Sequence, residues 1–125
     1  MSFNWINYVY IAEGLQPKTE EAYIRCSISR AYYGVFCPAR NIKGLKNYLK
    51  TKEDWEPSIH IAVINAYRHS TYTNDKQIGV RLDTLRKLRV DADYNEDISL
   101  SKDFADRAVI KAKDILKRLG IPYSL

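Results

Sequence analysis

Between Ala22 and Ile42, apolar side chains return every three or four residues: Ile24, Ile28, Ala31, Val35, Ala39 and Ile42. At about 100° per residue they fall within one arc, the signature of an amphipathic helix. The opposite face carries Cys26, Ser29, Tyr33, Cys37 and Arg40, a set that is half apolar rather than solvated. A helix with two such faces needs cover on both sides, so this segment belongs at the centre of a helical bundle. Pro38 falls inside the pattern. Proline lacks a backbone N–H and crowds the carbonyl four residues back, here Gly34, at a cost of about 3 kcal/mol. A kink or a break into two helices is expected there, with Gly44 a further weak point.

The remaining punctuation divides the chain into about five helices. The first runs from about Asn4, a candidate N-cap, to Leu15, with Gln16-Pro17 ending it. The central helix is expected to start near Pro17, a favoured first helical position. After a polar stretch from Thr51 to Glu56, Asp54 or Glu56 with Pro57 opens a third helix to about Ser70. Asp75 opens a fourth, through Ile78, Leu82, Leu85 and Leu88, that fades between Val90 and Asn95. Ser99 or Ser101 caps a fifth, which Gly120 and Pro122 stop. No segment alternates as a strand would. The expectation is all-α: one domain over residues 1–125, folded as an antiparallel four- to five-helix bundle.

The chain of 125 residues can bury enough surface to fold without a staple. No apolar run reaches the ~20 residues of a membrane span. The opening Met-Ser-Phe-Asn-Trp has neither the basic stretch nor the apolar core of a secretory signal. The expected compartment is the cytoplasm. Cys26 and Cys37 lie eleven residues apart on one helix, about 16 Å at 1.5 Å per residue, which is too far for a disulfide. They read as reduced packing thiols.

The common catalytic and metal-binding constellations are missing. His60 and His69 are nine residues apart and point to opposite sides of one helix, so they cannot share a metal. The thiols have no histidine at zinc spacing. There is no phosphate-cradling glycine loop and no GxSxG. Neither a metal nor a cofactor is expected. One residue stands out on geometry: Arg89 falls about 20° from Ile78 on the wheel, inside the apolar stripe of the fourth helix. An arginine there needs a partner, and Asp91, Asp93 and the Tyr94 hydroxyl lie just beyond it. It is either an internal ion-pair partner fixing the helix end or a guanidinium held in a cleft to meet phosphate.

The net charge of +5 and pI near 9.2 suit a polyanionic partner, although the basic residues are scattered among acidic ones. Arg81, Arg86, Lys87 and Arg89 share the fourth helix. Arg25, Arg30 and Arg40 lie on the second, among Tyr32 and Tyr33. Arginine interleaved with tyrosine suits single-stranded RNA, by phosphate pairing and base stacking. The plainer reading is a solvated helix face. The ten tyrosines of the chain favour half-buried surfaces and interfaces.

Three segments, in order, carry a family resemblance. Ser27-Ile-Ser-Arg-Ala-Tyr-Tyr-Gly-Val-Phe-Cys-Pro-Ala-Arg40 resembles the second-helix signature of the HEPN (higher eukaryotes and prokaryotes nucleotide-binding) superfamily. The run from Ile78-Gly to Leu-Arg89-Val-Asp-Ala-Asp-Tyr94 resembles its later signature, and the opening Asn4-Trp5 with Tyr8, Ala12-Glu13 and Leu15 is also similar. The resemblance implies a helical bundle, often a homodimer. It implies a role in binding RNA or nucleotide, in assisting a nucleotidyltransferase, or in metal-independent RNA cleavage by a toxin or defence protein. The family's nuclease signature is an arginine followed, four to six residues on, by a histidine. Arg89 matches the arginine, but no histidine follows it and Tyr94 stands where one would be. A tyrosine hydroxyl is a poor proton shuttle at neutral pH. The first expectation is a non-catalytic or weakly catalytic RNA- or nucleotide-binding module of a prokaryotic toxin–antitoxin or defence system. It would use Arg30, Tyr33, Arg40, Arg81, Arg86 and Arg89 and have an antitoxin or nucleotidyltransferase as partner. The alternative is an endoribonuclease toxin whose composite dimer site uses Arg89 and Tyr94. Either way, sedimentation at micromolar concentration should find a dimer; a monomer that does not shift on dilution would count against a composite cleft.

Overall fold

The structure, a computed structural model, describes residues 2–47 and 58–123. Among them lie five helices and no strand: α1 (Ile6–Leu15), α2 (Glu21–Ile42), α3 (Ile59–Arg68), α4 (Thr73–Tyr94) and α5 (Lys102–Leu119). α2 touches each of the other four, while α3 packs on α4, and α5 packs on both α4 and α1. Short connections at 16–20, 69–72 and 95–101 turn successive neighbours back on one another. The result is an all-α bundle. None of the helices is long and apolar enough to cross a membrane.

The cover that α2 needs comes from its own chain. Ile24, Ile28, Ala31, Val35 and Ala39 are buried, and so are Ser27, Tyr32 and Phe36 that flank them and Ser29 and Cys37 of the opposite face. The polar members are satisfied inside. Ser27 Oγ donates to the Ala12 carbonyl at 2.7 Å, and Ser29 Oγ reaches Asp93 Oδ2 at 3.3 Å. α1 comes very near α2 at Gly34, where a Cβ would stand 2.5 Å from Val9 Cγ2 and 2.9 Å from the Val9 backbone nitrogen. Glycine is required there by the close approach. Cys26 and Cys37 are both free thiols, the first exposed and the second buried.

Several boundaries differ from the sequence expectation. α2 does not start at Pro17. The chain turns there (Lys18 N–H to the Leu15 carbonyl, 3.0 Å) and runs extended through Glu20 before the helix begins. α2 is also not broken at Pro38 but continues to Ile42. Cys37 and Ala39 on either side of the proline are buried, and Tyr67 Oη donates to the Ala39 carbonyl at 2.9 Å. This packing holds the last turn in place and offsets the lost backbone bond. The helix stops at Ile42, two residues ahead of Gly44. Gly44 takes a left-handed φ of 71°, and the Leu45 N–H closes on the Arg40 carbonyl at 3.0 Å, a Schellman ending. α5 ends the same way: Gly120 has φ 78° and the Ile121 N–H meets the Leu116 carbonyl at 2.9 Å. The residues expected to open the third helix, Asp54, Glu56 and Pro57, lie outside the described residues. Within them, Ser58 is the N-cap of α3 and accepts from the Ile61 N–H at 3.4 Å.

α4 begins at Thr73, ahead of Asp75, and does not fade at Val90 but reaches Tyr94. The cause is tertiary. Arg25 of α2 donates from Nη1 to the carbonyls of Asp91 (3.0 Å) and Ala92 (3.1 Å), and from Nη2 to that of Ile98 (2.8 Å). Carbonyls at a helix C-terminus lack partners within the helix, and a guanidinium there also complements the helix dipole. Glu21 holds Arg25 in turn, at 2.9 Å. Hydrogen bonds to a charged group contribute about 1.5–3 kcal/mol each. Arg25→Met should therefore lower stability in urea denaturation by about 2–3 kcal/mol and speed amide exchange at residues 91–95. An unchanged midpoint would remove this clamp from the account.

Candidate functional site

Two neighbouring features hold the chemistry. The first is the cage around Arg89. This residue is only 6% exposed, and its guanidinium carbon lies 5.2 Å from the centre of the Tyr32 ring, 5.4 Å from Tyr33 and 5.9 Å from Tyr94. Its nearest carboxylate, Asp93, is one helical turn on, with Oδ2 3.6 Å from Nη1. Arg89 Nε has no hydrogen-bond partner. The charge is thus held by aromatic faces and by a long ion pair that Ser29 shares through Asp93. Asp91, the other carboxylate expected to serve Arg89, instead offers its backbone carbonyl to Arg25.

The second feature is an open cleft of about 380 Å³ where α1, α2 and the first turn of α3 meet. Trp5, Tyr8, Tyr33 and Phe36 supply aromatic walls, Arg30 and Arg40 supply charge, and His60 lines it beside Ile59 and Cys37. Arg30, Tyr33, Cys37 and Arg40 follow one another at three- and four-residue steps, so α2 presents them as a single stripe. Arg30 lies over the Tyr8 ring, 4.8 Å from its centre. Arg40 Nε donates to the neighbouring Asn41 Oδ1 at 3.1 Å. Among the described residues, every other arginine stands in an ion pair, while Arg30 and Arg40 have no carboxylate within 4.0 Å. Among the described residues, no acidic side chain lines the cleft.

The sequence-derived site residues therefore divide. Arg30, Tyr33 and Arg40 share the cleft. Arg89 does not line it; it lies against Tyr33, which does. Its burial beside Asp93 fits the internal ion-pair reading of its position. Arg81 is elsewhere, bound to Asp114 of α5 at 2.7 Å. Arg86 is half-buried and paired with Asp83 at 3.2 Å. Tyr94 is 74% exposed and lies outside the cleft lining.

The sequence reading set His60 aside with the metal search, yet it occupies the cleft. Its Nδ1 lies 2.7 Å from Tyr32 Oη, and its ring stacks on Phe36 with centroids 4.4 Å apart. Burial, reinforced by the Arg89 and Arg86 charges, lowers its pKa from an ordinary 6.5 to about 4. Burial pushes the Tyr32 hydroxyl well above its usual range, against the opposing pull of Arg89, and it also raises the Cys37 thiol. At neutral pH the cleft and the wall behind it hold a neutral imidazole, a phenol and a thiol rather than their ions. Among the described residues no three His, Cys, Asp or Glu side chains converge to hold a metal ion. Nothing in sequence spacing ties His60 to Arg89, because the tie runs through Tyr32 and the docking of α3. Compared with known protein families, curated proteins and solved structures, the chain has no match.

The His60 shift makes stability depend on pH. Between 6.5 and about 4 the unfolded chain binds a proton that the folded chain resists, so the contribution is complete above pH 6.5 and is lost as pH falls toward 4. Urea midpoints at about pH 7.5 and about pH 5 should separate more in the wild type than in His60→Phe. Equal separations would show that the acid sensitivity comes from other groups.

Proposed function

We propose that this chain is a HEPN-like module that binds RNA or a nucleotide and does not cleave it efficiently by itself. It would serve a prokaryotic toxin–antitoxin or defence system as a homodimer, beside an antitoxin or a nucleotidyltransferase. The observation that carries the binding reading is the pair of arginines without carboxylate partners among the described residues, Arg30 and Arg40, set among aromatic rings in one cleft. A guanidinium with no internal anion is available to phosphate, and flat rings beside it offer stacking to a base. The net charge of +5 supports the same partner.

The nuclease alternative, with Tyr94 in the place of the histidine, draws less support. Tyr94 projects into solvent outside the cleft. The imidazole at the cleft is a weak base, since its pKa is lowered to about 4, and general catalysis is most effective near the working pH.

Binding of a short single-stranded RNA should weaken steeply with salt, through counterion release. Arg30→Ala/Arg40→Ala should weaken it and flatten the slope of log affinity against log salt by roughly 0.7 per lost contact. Arg81→Ala, which removes an arginine already paired with Asp114, should change little. If the double variant binds as the wild type does, the cleft is not the binding surface. Metal-free cleavage at pH 7 that is lost in Tyr94→Phe would restore the enzymatic alternative.

A further inference from the structure

Tyr32 Oη is sealed inside the protein, with Tyr32 fully buried, and His60 Nδ1 at 2.7 Å is its one hydrogen-bond partner among the described residues. A buried hydroxyl whose proton has no acceptor costs more than a nitrogen lone pair left open to solvent. Tyr32 therefore donates and Nδ1 accepts. A neutral imidazole has one N–H, so the proton is on Nε2. Nε2 has no hydrogen-bond partner among the described residues, yet it is not among the buried unsatisfied atoms. It is therefore accessible, on a ring that lines the cleft. The stack of Phe36 on His60 and of Tyr32 on Phe36, with centroids 4.4 and 5.4 Å apart, keeps the imidazole from turning.

We propose that His60 reads the base of the bound nucleotide: Tyr32 fixes its tautomer, and Nε2–H donates to the carbonyl oxygen on C4 of uracil or C6 of guanine, selecting keto bases over amino bases. This inference rests on the nucleotide-binding reading of the cleft. The other polar side chains around Nε2 point the same way. Arg30, Arg40 and the Trp5 indole can only donate, the tyrosine hydroxyls can do either, and among the described residues no carboxylate or carboxamide lines the cleft. A donor-rich wall suits acceptors. Uracil and guanine present carbonyl oxygens where cytosine and adenine present an amino group. An amino group set against these donors would lose its hydrogen bond to water and gain none. The neutral state of His60, whose pKa lies at about 4, keeps this pattern unchanged at ordinary pH.

The test is fluorescence anisotropy with matched short uridine and cytidine oligonucleotides, alongside inosine and adenosine ones. The wild type should prefer uridine over cytidine, and inosine over adenosine, by about threefold to tenfold, as expected for one hydrogen bond gained or lost. His60→Phe keeps a ring on Phe36 and removes the donor. It should bring the uridine affinity down to that of cytidine while leaving the salt slope intact. Tyr32→Phe/His60→Phe, which leaves no orphan hydroxyl, should do the same if the single variant folds poorly. On the wild-type protein, ¹⁵N NMR should find the His60 proton on Nε2. Equal binding of the keto and amino oligonucleotides, a preference that survives in His60→Phe, or a proton on Nδ1 would each overturn the inference. A phosphopeptide bound more tightly than any of the oligonucleotides would overturn it in favour of a protein partner. Binding without discrimination, but with a salt slope that depends on Arg30 and Arg40, sinks this inference alone. The absence of all RNA binding sinks the underlying reading with it.

Discussion

α2 is surrounded by four helices of its own chain, and most of the architecture follows from this confinement. Polar groups on the covered parts of such a helix cannot turn to water, so its buried polar side chains must find partners in a neighbour. Ser27 turns to α1, Ser29 and Arg25 to the end of α4, and Tyr32 to α3. These are directional bonds in a core that is otherwise non-directional, and they set how each neighbour sits on α2. Gly34 has the same effect without a hydrogen bond, because the space its missing side chain leaves is filled by Val9.

The cleft is a consequence of that arrangement. α2 is longer than α1 and α3, and the stripe from Arg30 to Arg40 lies where those two helices meet it without closing over it. Elsewhere on the molecule, carboxylates on adjacent turns or facing helices neutralise the arginines. Here the facing residues are aromatic, and Arg30 stacks on Tyr8 instead of pairing. Behind the wall, Arg89 adds a third positive charge that has little contact with solvent. Its effect is felt through the rings it touches, holding down the His60 pKa and opposing the rise in that of Tyr32. Burial sets the ionic state of the cleft, and a charge that does not line the cleft adds to its effect on His60.

The helical class, the central position of the second helix, the stop at Gly120, and the burial of Arg89 were all readable from the chain. Each depends on a period of 3.6 residues or on the local behaviour of glycine. The grouping of Arg30, Tyr33 and Arg40 was readable for the same reason, since one helix carries all three. What could not be read locally was whether Pro38 would break α2, where α4 would end, and which arginines would be left without a carboxylate. Intrinsic preference predicts a break and an early end. Packing around Ala39 and the Arg25 clamp on Asp91 and Ala92 reverse both.

The partnership of His60 with Tyr32 spans two helices whose relative orientation no local rule specifies, and it became visible only once α3 was docked. Arg81 and Arg86 looked equivalent to Arg30 and Arg40 by charge and spacing, but Asp114 on α5 and Asp83 on α4 take them out of play. Local periodicity determined which residues share a face. Tertiary contact decided which of those faces stayed open and which charges on them stayed unpaired, because an ion pair or a buried hydroxyl is satisfied by whatever lies within about 3 Å in space, however far away it lies along the chain.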